Sequence, residues 1–204
     1  SLTLGGAVNG TTANTESLSL NAGTTGAVSV TGAVGQTTSL KTLTLTNSNG
    51  ATFNSPVTTG TSVVLSDTVA GQTIRFADNL STPVLTTTAN GYHLELLGTA
   101  TNVSAANTTT TFLNTGSLVL GNAAADSLSF AGGLTATAPS AISAAGTVST
   151  SNTAMSLGDS NTAITLTGDL TLNTAGGDLT LGGAVNGTTA NTQSLTLNAA
   201  SAGA

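Results

Sequence analysis

The sequence predicts an all-β protein: a right-handed parallel β-helix (β-solenoid) with three short strands in each coil of about 25 residues. Three observations predict this fold. Short apolar–polar–apolar triplets recur along the chain, their spacing repeats, and charged residues (5%) and aromatic residues (2%) are scarce. This composition suits a narrow aliphatic interior and a polar, uncharged exterior, whereas disorder would require low hydropathy and a high net charge.

The triplets are interpreted as strands because alternation with a period of two buries one face of a strand and leaves the other in water. Turn-forming Gly and Asn, together with Thr and Ala, lie between them. The triplets are residues 2–4, 18–20, 28–30, 43–45, 74–76, 94–96, 118–120, 128–130, 164–166, 170–172, 179–181 and 195–197. Residues 136–145 are rich in Ala and contain Pro139, so we expect an enlarged loop there.

The spacing of the triplets indicates three strands in each coil. Successive steps are 10, 6 and 9 from Leu18 through Val28 and Val34 to Leu43. From Leu170 through Leu179 and Val185 to Leu195 they are 9, 6 and 10, so each set totals 25. Parallel crossovers are right-handed, which predicts the hand of the coil. An antiparallel sandwich is the alternative, but it would place Asn-Gly in two-residue hairpin turns, and the Asn-Gly pairs here lie in longer gaps.

A long internal repeat organises the chain. Residues 1–22 match residues 178–199 at an offset of 177, and the three differences are Ser1/Asp178, Glu16/Gln193 and Ser19/Thr196. Residues 1–204 are therefore predicted to be a single β-solenoid segment, slightly longer than one 177-residue repeat of about seven coils. We expect both copies to occupy the same angular position on the rod. The Glu16/Gln193 difference indicates that the copies depend on shape rather than charge.

Composition excludes several classes of function. Lys and Arg together number 2 and the formal net charge is −6, so no nucleic acid is expected as a partner. No apolar run reaches about 18 residues, so no membrane insertion is expected either. The chain has no Cys, which excludes disulfides and thiolate metal sites. The absence of Cys and the scarcity of Lys are typical of extracellular repeat proteins.

One small cluster has residues of a type used in catalysis. His93 and Glu95 lie two positions apart on one predicted strand and would point the same way, as a general base and its orienting carboxylate would. The interpretation favoured here is a solvated polar surface. Arg75 precedes Glu95 at an offset of 20, so the two are predicted to form an outward ion pair between adjacent coils.

The remaining acidic residues are interpreted as turn residues, because most adjoin Gly, Asn or Ser. The acidic residues are Glu16, Asp67, Asp78, Glu95, Asp126, Asp159, Asp169 and Asp178. No catalytic, metal-binding or cofactor-binding residue is assigned, and neither enzymatic activity nor a cofactor is expected. Two alternative functions stay open. A carbohydrate-binding or carbohydrate-cleaving β-helix would need a groove with clustered acids or aromatics, and an ice-binding β-solenoid would need a flat file of outward Thr, which Arg75 and Glu95 are expected to interrupt.

Two stretches resemble a known family. Residues 1–46, of which 17–46 read SLSLNAGTTGAVSVTGAVGQTTSLKTLTLT, and residues 170–198 resemble the repeats of giant bacterial β-strand-repeat surface proteins, the filamentous-haemagglutinin-like adhesins and fibres. The resemblance implies a structural and adhesive shaft in an extracellular, cell-surface or secreted fibre. The resemblance carries over no catalytic residues. Apart from the resemblance, a β-helix segment has unpaired strand edges at its ends, and the matching sequence at both ends predicts that further repeats cover them. The expected partner is therefore the protein itself, through end-to-end continuation or filament assembly, with host or neighbouring-cell surfaces and glycans as further candidates.

Overall fold

The structure, a computed structural model, describes residues 1–200 and is all-β within that range. Residues 201–204 of the predicted segment lie outside the described residues. Parallel strands stack in a β-solenoid of about 9 turns with about 23 residues per turn, which confirms the predicted fold class. The strands are β1 (Leu2–Leu4), β2 (Ser17–Asn21), β3 (Val28–Val30), β4 (Leu40–Asn47), β5 (Ala51–Phe53), β6 (Val57–Leu65), β7 (Thr73–Phe76), β8 (Leu80–Thr82), β9 (Val84–Thr87), β10 (His93–Leu96), β11 (Ala100–Val103), β12 (Thr110–Thr111), β13 (Ser117–Leu120), β14 (Ser127–Phe130), β15 (Leu134–Ala136), β16 (Ala141–Thr150), β17 (Met155–Leu157), β18 (Ala163–Asn173), β19 (Leu179–Leu181), β20 (Val185–Gly187) and β21 (Leu195–Asn198).

Each turn has three faces, named A, B and C in chain order. Face A consists of β1, β3, β5, β7, β10, β13, the first halves of β16 and β18, and β20. Face B begins at Val8 and Val34 and continues through the start of β6, then β8, β11, β14, the second halves of β16 and β18, and β21. Face C consists of β2, β4, the end of β6, β9, β12, β15, β17 and β19.

The core is a stack of aliphatic side chains that point inward from all three faces. On face A the buried column is Val28, Ala51, Ile74, Leu94, Leu118, Ile142 and Ile164. The few aromatics also lie inside: Phe53 and Phe76 of adjacent turns stack with ring centroids 4.8 Å apart, and Phe112 meets Phe130 edge-on at 5.9 Å. Backbone hydrogen bonds between turns satisfy the peptide groups, so a column this thin remains stable without helices.

The twelve sequence triplets all lie in strands, but the predicted coil length is slightly too long. Leu18 pairs with Leu43 and Leu170 with Leu195, both at an offset of 25, whereas Ile74 pairs with Leu94 at an offset of only 20. The predicted coil length of about 25 residues came from residues 18–43 and 170–195, the two most regular regions. Other turns along the chain are also shorter than 25 residues, such as the one between Ser127 and Thr147 at an offset of 20, and these bring the mean down to about 23 residues.

The prediction of an enlarged loop at residues 136–145 is wrong. Only residues 137–140 connect β15 to β16, and the Ala-rich stretch that follows is strand. Ala144 and Ala145 are fully buried, and Ser117 to Leu120 pairs with Ala141 to Ala144. Small side chains fill a narrow core as well as large ones do when the backbone lies close, so an Ala run is not by itself a sign of a loop.

The prediction that both copies of the repeat occupy the same angular position is also wrong. Leu2 lies on face A, where it pairs with Val28, whereas its equivalent Leu179 lies on face C, where it pairs with Met155. The later strands of the copy are displaced in the same way, to faces A and B. The cause is the turn length, because an offset of 177 is not a whole number of turns of about 23 residues.

Candidate functional site

His93 and Glu95 lie on β10 and point to the same side of face A, as predicted, but they hydrogen-bond to different partners. His93 Nδ1 accepts the backbone N–H of Ser117 at 2.8 Å and lies 2.8 Å from the Ser117 hydroxyl. This places the imidazole proton on Nε2. Glu95 bonds instead to Arg75. The histidine therefore joins two adjacent strands rather than being oriented by the carboxylate as a base.

The predicted ion pair between Arg75 and Glu95 is confirmed. The two residues are register partners in β7 and β10, and Arg75 Nε lies 2.5 Å from Glu95 Oε2. The glutamate raises the pKa of Arg75 through this hydrogen bond and its charge. The Arg75 side chain is 48% exposed, so solvent screens the pair and its contribution to stability is about 0–1 kcal/mol.

Several other carboxylates cap corners, as their neighbours in sequence indicated. Asp126 accepts the backbone N–H groups of Asn122 and Ala123 at 2.8 and 3.0 Å. Asp159 accepts the N–H of Asn161, and this hydrogen bond lowers the pKa of the Asp159 carboxyl. Asp169 accepts the N–H of Ser194 in the next turn, and this hydrogen bond lowers the pKa of the Asp169 carboxyl. Among residues 1–200, no three His, Cys, Asp or Glu side chains lie close enough together to hold a metal ion.

A shallow groove of about 300 Å³ crosses face B. Its lining residues are Gln36, Pro56, Val57, Thr58, Asn79, Leu80, Ser81, Ala100 and Asn102. Amides, hydroxyls and aliphatic groups make up this lining, which contains neither an acid nor an aromatic ring. Asn79 Oδ1 is already engaged, because it accepts Thr99 Oγ1–H at 3.1 Å and the Ala100 N–H at 2.9 Å. The groove therefore lacks the clustered acids or aromatics that the carbohydrate alternative requires.

Face C bears a file of hydroxyl groups that sequence reasoning missed. Its central outward positions through eight turns are Ser19, Thr44, Val64, Thr86, Thr111, Thr135, Ser156 and Thr180. Arg75 and Glu95 lie on face A, so they do not interrupt this file. Only Ser19, Thr44 and Thr180 of this file lie in the twelve triplets, and the other triplets belong to faces A and B, so the triplets as a set could not reveal the file.

The last described turn presents unusual apolar surface. Leu195 and Leu197 lie on β21 in line with the buried Leu170 and Leu172 of the preceding turn. They are 36% and 53% exposed, and within residues 1–200 no further turn covers them. Leucines stacked in this way are buried in the interior turns, so the exposure of these two follows from their place in the last described turn.

Comparison of the chain with protein-family models, with curated proteins and with solved structures gives no match. Function must therefore be argued from the fold and these surfaces. The part of the chain that the structure describes contains no helix long and apolar enough to cross a lipid bilayer.

Proposed function

We propose that the chain is a structural module of the shaft of a long fibre, on a bacterial cell surface or secreted from the cell. The observation that carries this proposal is the repeat: a 22-residue sequence begins the first turn, and a copy that differs at three positions supplies most of the last. Because residues 178–199 repeat the beginning of the module, we propose that a second module follows the first along the rod. Length, rather than chemistry, is what such a module supplies.

The junction between one module and the next is already present inside the chain. The second copy of the repeat stacks on the preceding turn through Leu179 on Met155, Val185 on Ile164 and Leu195 on Leu170. Asp169 holds this junction further by accepting the N–H and hydroxyl of Ser194 at 2.8 and 2.9 Å. Continuation needs no new kind of contact, because the pairing of Leu2 with Val28 supplies the next step.

The surface suits exposure outside the cell. With 2 basic residues in 204, the exterior is mostly Thr, Ser, Asn and Gly, and it offers few sites to proteases that cut after Lys or Arg. The partners we propose are further copies of the module, along the chain or in the next subunit. Host surfaces, neighbouring cells and glycans are the candidates for any adhesion, and neither nucleic acid nor an inserted membrane segment has a role. No enzymatic step is proposed.

Electron microscopy of the native material tests this proposal. We expect rods. Tandem chains with one, two and three 177-residue modules should lengthen by about 37 Å per module, since each module makes about 7.7 turns of about 23 residues and adjacent turns are about 4.8 Å apart. Small-angle scattering on the same series gives an independent length. Globular particles in native preparations, or tandem chains that do not lengthen, would overturn the shaft function.

The hydroxyl file on face C supports a second candidate function, binding to ice. Seven of its eight positions are Ser or Thr, and the file spans about 34 Å. Thermal hysteresis of the purified chain tests it, with Thr135→Lys on face C compared with Ser143→Lys on face A. Hysteresis that the first substitution abolishes and the second leaves intact would support ice binding. A chain without hysteresis would exclude it.

A further inference from the structure

The two copies of the repeat have the same local structure on different faces of the rod. In both, a Gly-Gly-Ala corner leads from a Leu-Thr-Leu strand to a valine that pairs with a neighbouring turn, Val8 in the first copy and Val185 in the second. A wider corner follows with a left-handed Asn: Asn14 has φ 63° and its equivalent Asn191 has φ 61°. The tight corner joins face A to face B in the first copy and face C to face A in the second. The same sequence therefore forms the same corner in both copies, but the corner joins different faces of the rod.

Counting strands along the chain gives the size of the rotation. From Leu2 on face A, seven complete turns lead to Ile164 on the same face, and two further strands lead through Leu170 on face B to Leu179 on face C. One 177-residue repeat is thus seven turns and two faces. The mean turn of about 23 residues agrees with this count.

We infer that successive copies of the module in a continued rod are rotated by one face, about 120°, relative to one another. This inference rests on the proposed function. Along any one side of the rod, faces C, A and B of three consecutive modules then appear in turn, and the pattern repeats after three modules. That repeat has 23 turns and is about 110 Å long.

The rotation determines what kind of partner the rod accepts. The hydroxyl file on face C stops after one module, because the next module presents face A on that side, with its Arg75–Glu95 pair. Two rods therefore cannot associate along their length through one continuous face. A given face points in a different direction in each of three successive modules and returns to the first direction in the fourth. This arrangement suits partners that bind on all sides of the rod, because along any one side the same face occurs once in every three modules.

Engineered cysteines test the rotation in the chain as it exists, which has no Cys of its own. Thr180 pairs with Ser156 on face C, and outward residues on neighbouring strands are close enough for a disulfide. We expect Ser156→Cys/Thr180→Cys to cross-link on oxidation, measured as loss of free thiol, at least tenfold faster than Thr165→Cys/Thr180→Cys. The Thr165→Cys/Asn186→Cys pair, which is in register on face A, is the positive control.

Faster cross-linking of Thr165→Cys with Thr180→Cys would put the second copy back on face A and overturn the inference. So would a Ser156/Thr180 pair that stays reduced while the control forms its disulfide. Gold labels on Thr135→Cys in a tandem chain of three modules are the second measurement: they should project in three directions, and labels in one line would overturn it. The cysteine result does not depend on fibres, so native material without fibres would defeat the proposed function while leaving the face assignment standing.

Discussion

The two copies of the repeat differ in their surroundings far more than in their sequence. Leu20 packs beside Leu45 of the second turn and is 2% exposed, whereas its equivalent Leu197 is 53% exposed. A Cβ added at Gly6 would meet nothing within 4 Å, whereas one at the equivalent Gly183 would collide with the carbonyl oxygen of Thr162. The comparison shows that a local sequence specifies strands and corners, while the neighbouring turn decides what each residue contributes to stability.

The corner at Glu16 and Gln193 shows the opposite case, in which a sequence difference leaves the structure unchanged. Thr11 Oγ1–H donates to Glu16 Oε1 at 2.6 Å, and the Thr12 N–H approaches Oε2 at 3.4 Å. In the second copy Gln193 Nε2 donates to Thr188 Oγ1 at 2.8 Å, and the Thr189 N–H donates to Gln193 Oε1 at 3.2 Å. The amide reproduces the carboxylate cap with one hydrogen bond reversed. The expectation that shape outweighs charge here agrees with this geometry.

The largest expected difference between the copies is in the core. Leu20→Ala should lower the free energy of unfolding by about 2–5 kcal/mol, because it leaves a cavity among buried side chains. Leu197→Ala, the same substitution at the equivalent position, should lower it by less than about 1 kcal/mol, because the side chain is already half in water. Urea denaturation followed by circular dichroism measures both. Equal losses would contradict the difference in burial.

Glycine substitutions at the tight corner should give an intermediate difference. Gly183→Ala should cost about 1–3 kcal/mol, because its Cβ must displace the backbone of the turn below. Gly6→Ala should be close to neutral in this chain. Thermal unfolding of the two variants checks the order, and a Gly6→Ala variant as unstable as Gly183→Ala would refute it.

The smallest expected effect concerns pH. The hydrogen bond from Thr11 is the main cause of a lowered pKa at Glu16, from an ordinary value of 4.5. Since the folded pKa lies below the unfolded one, the cap stabilises the fold above about pH 4.5, and this contribution is lost as the pH falls through the folded value. Glu16→Gln should therefore reduce the loss of melting temperature between pH 6 and pH 3.

The reverse substitution in the second copy is the matched control for the pH prediction. Gln193→Glu introduces a carboxylate into the same corner geometry, so it should add acid sensitivity where Glu16→Gln removes it. Melting curves of both variants and the parent, recorded at several pH values in constant salt, make the comparison. Identical pH profiles for all three chains would show that the carboxylate has no role in the cap.

Local spacing predicted those surface contacts that depend on a single step between turns. The offset between Arg75 and Glu95 was enough to predict their pairing, because the two residues lie on the same face in adjacent turns and only one turn of chain separates them. The hydroxyl file and the groove on face B could not be predicted in this way, because each depends on three or more turns in register. The offset between paired residues varies from 19 at Leu40 and Thr59 to 27 at Ala100 and Ser127, so an error of one corner moves a residue to another face.

The sequence by itself determined the all-β solenoid, its short strands, its corners and the long repeat, because alternation, Gly and Asn act over a few residues. It also determined that the surface would be nearly uncharged. Only the tertiary structure decided which face each strand occupies, because that depends on the accumulated length of every preceding corner. The sequences of residues 1–22 and 178–199 form the same strands and corners, but the summed length of the turns between the two copies places them one face apart.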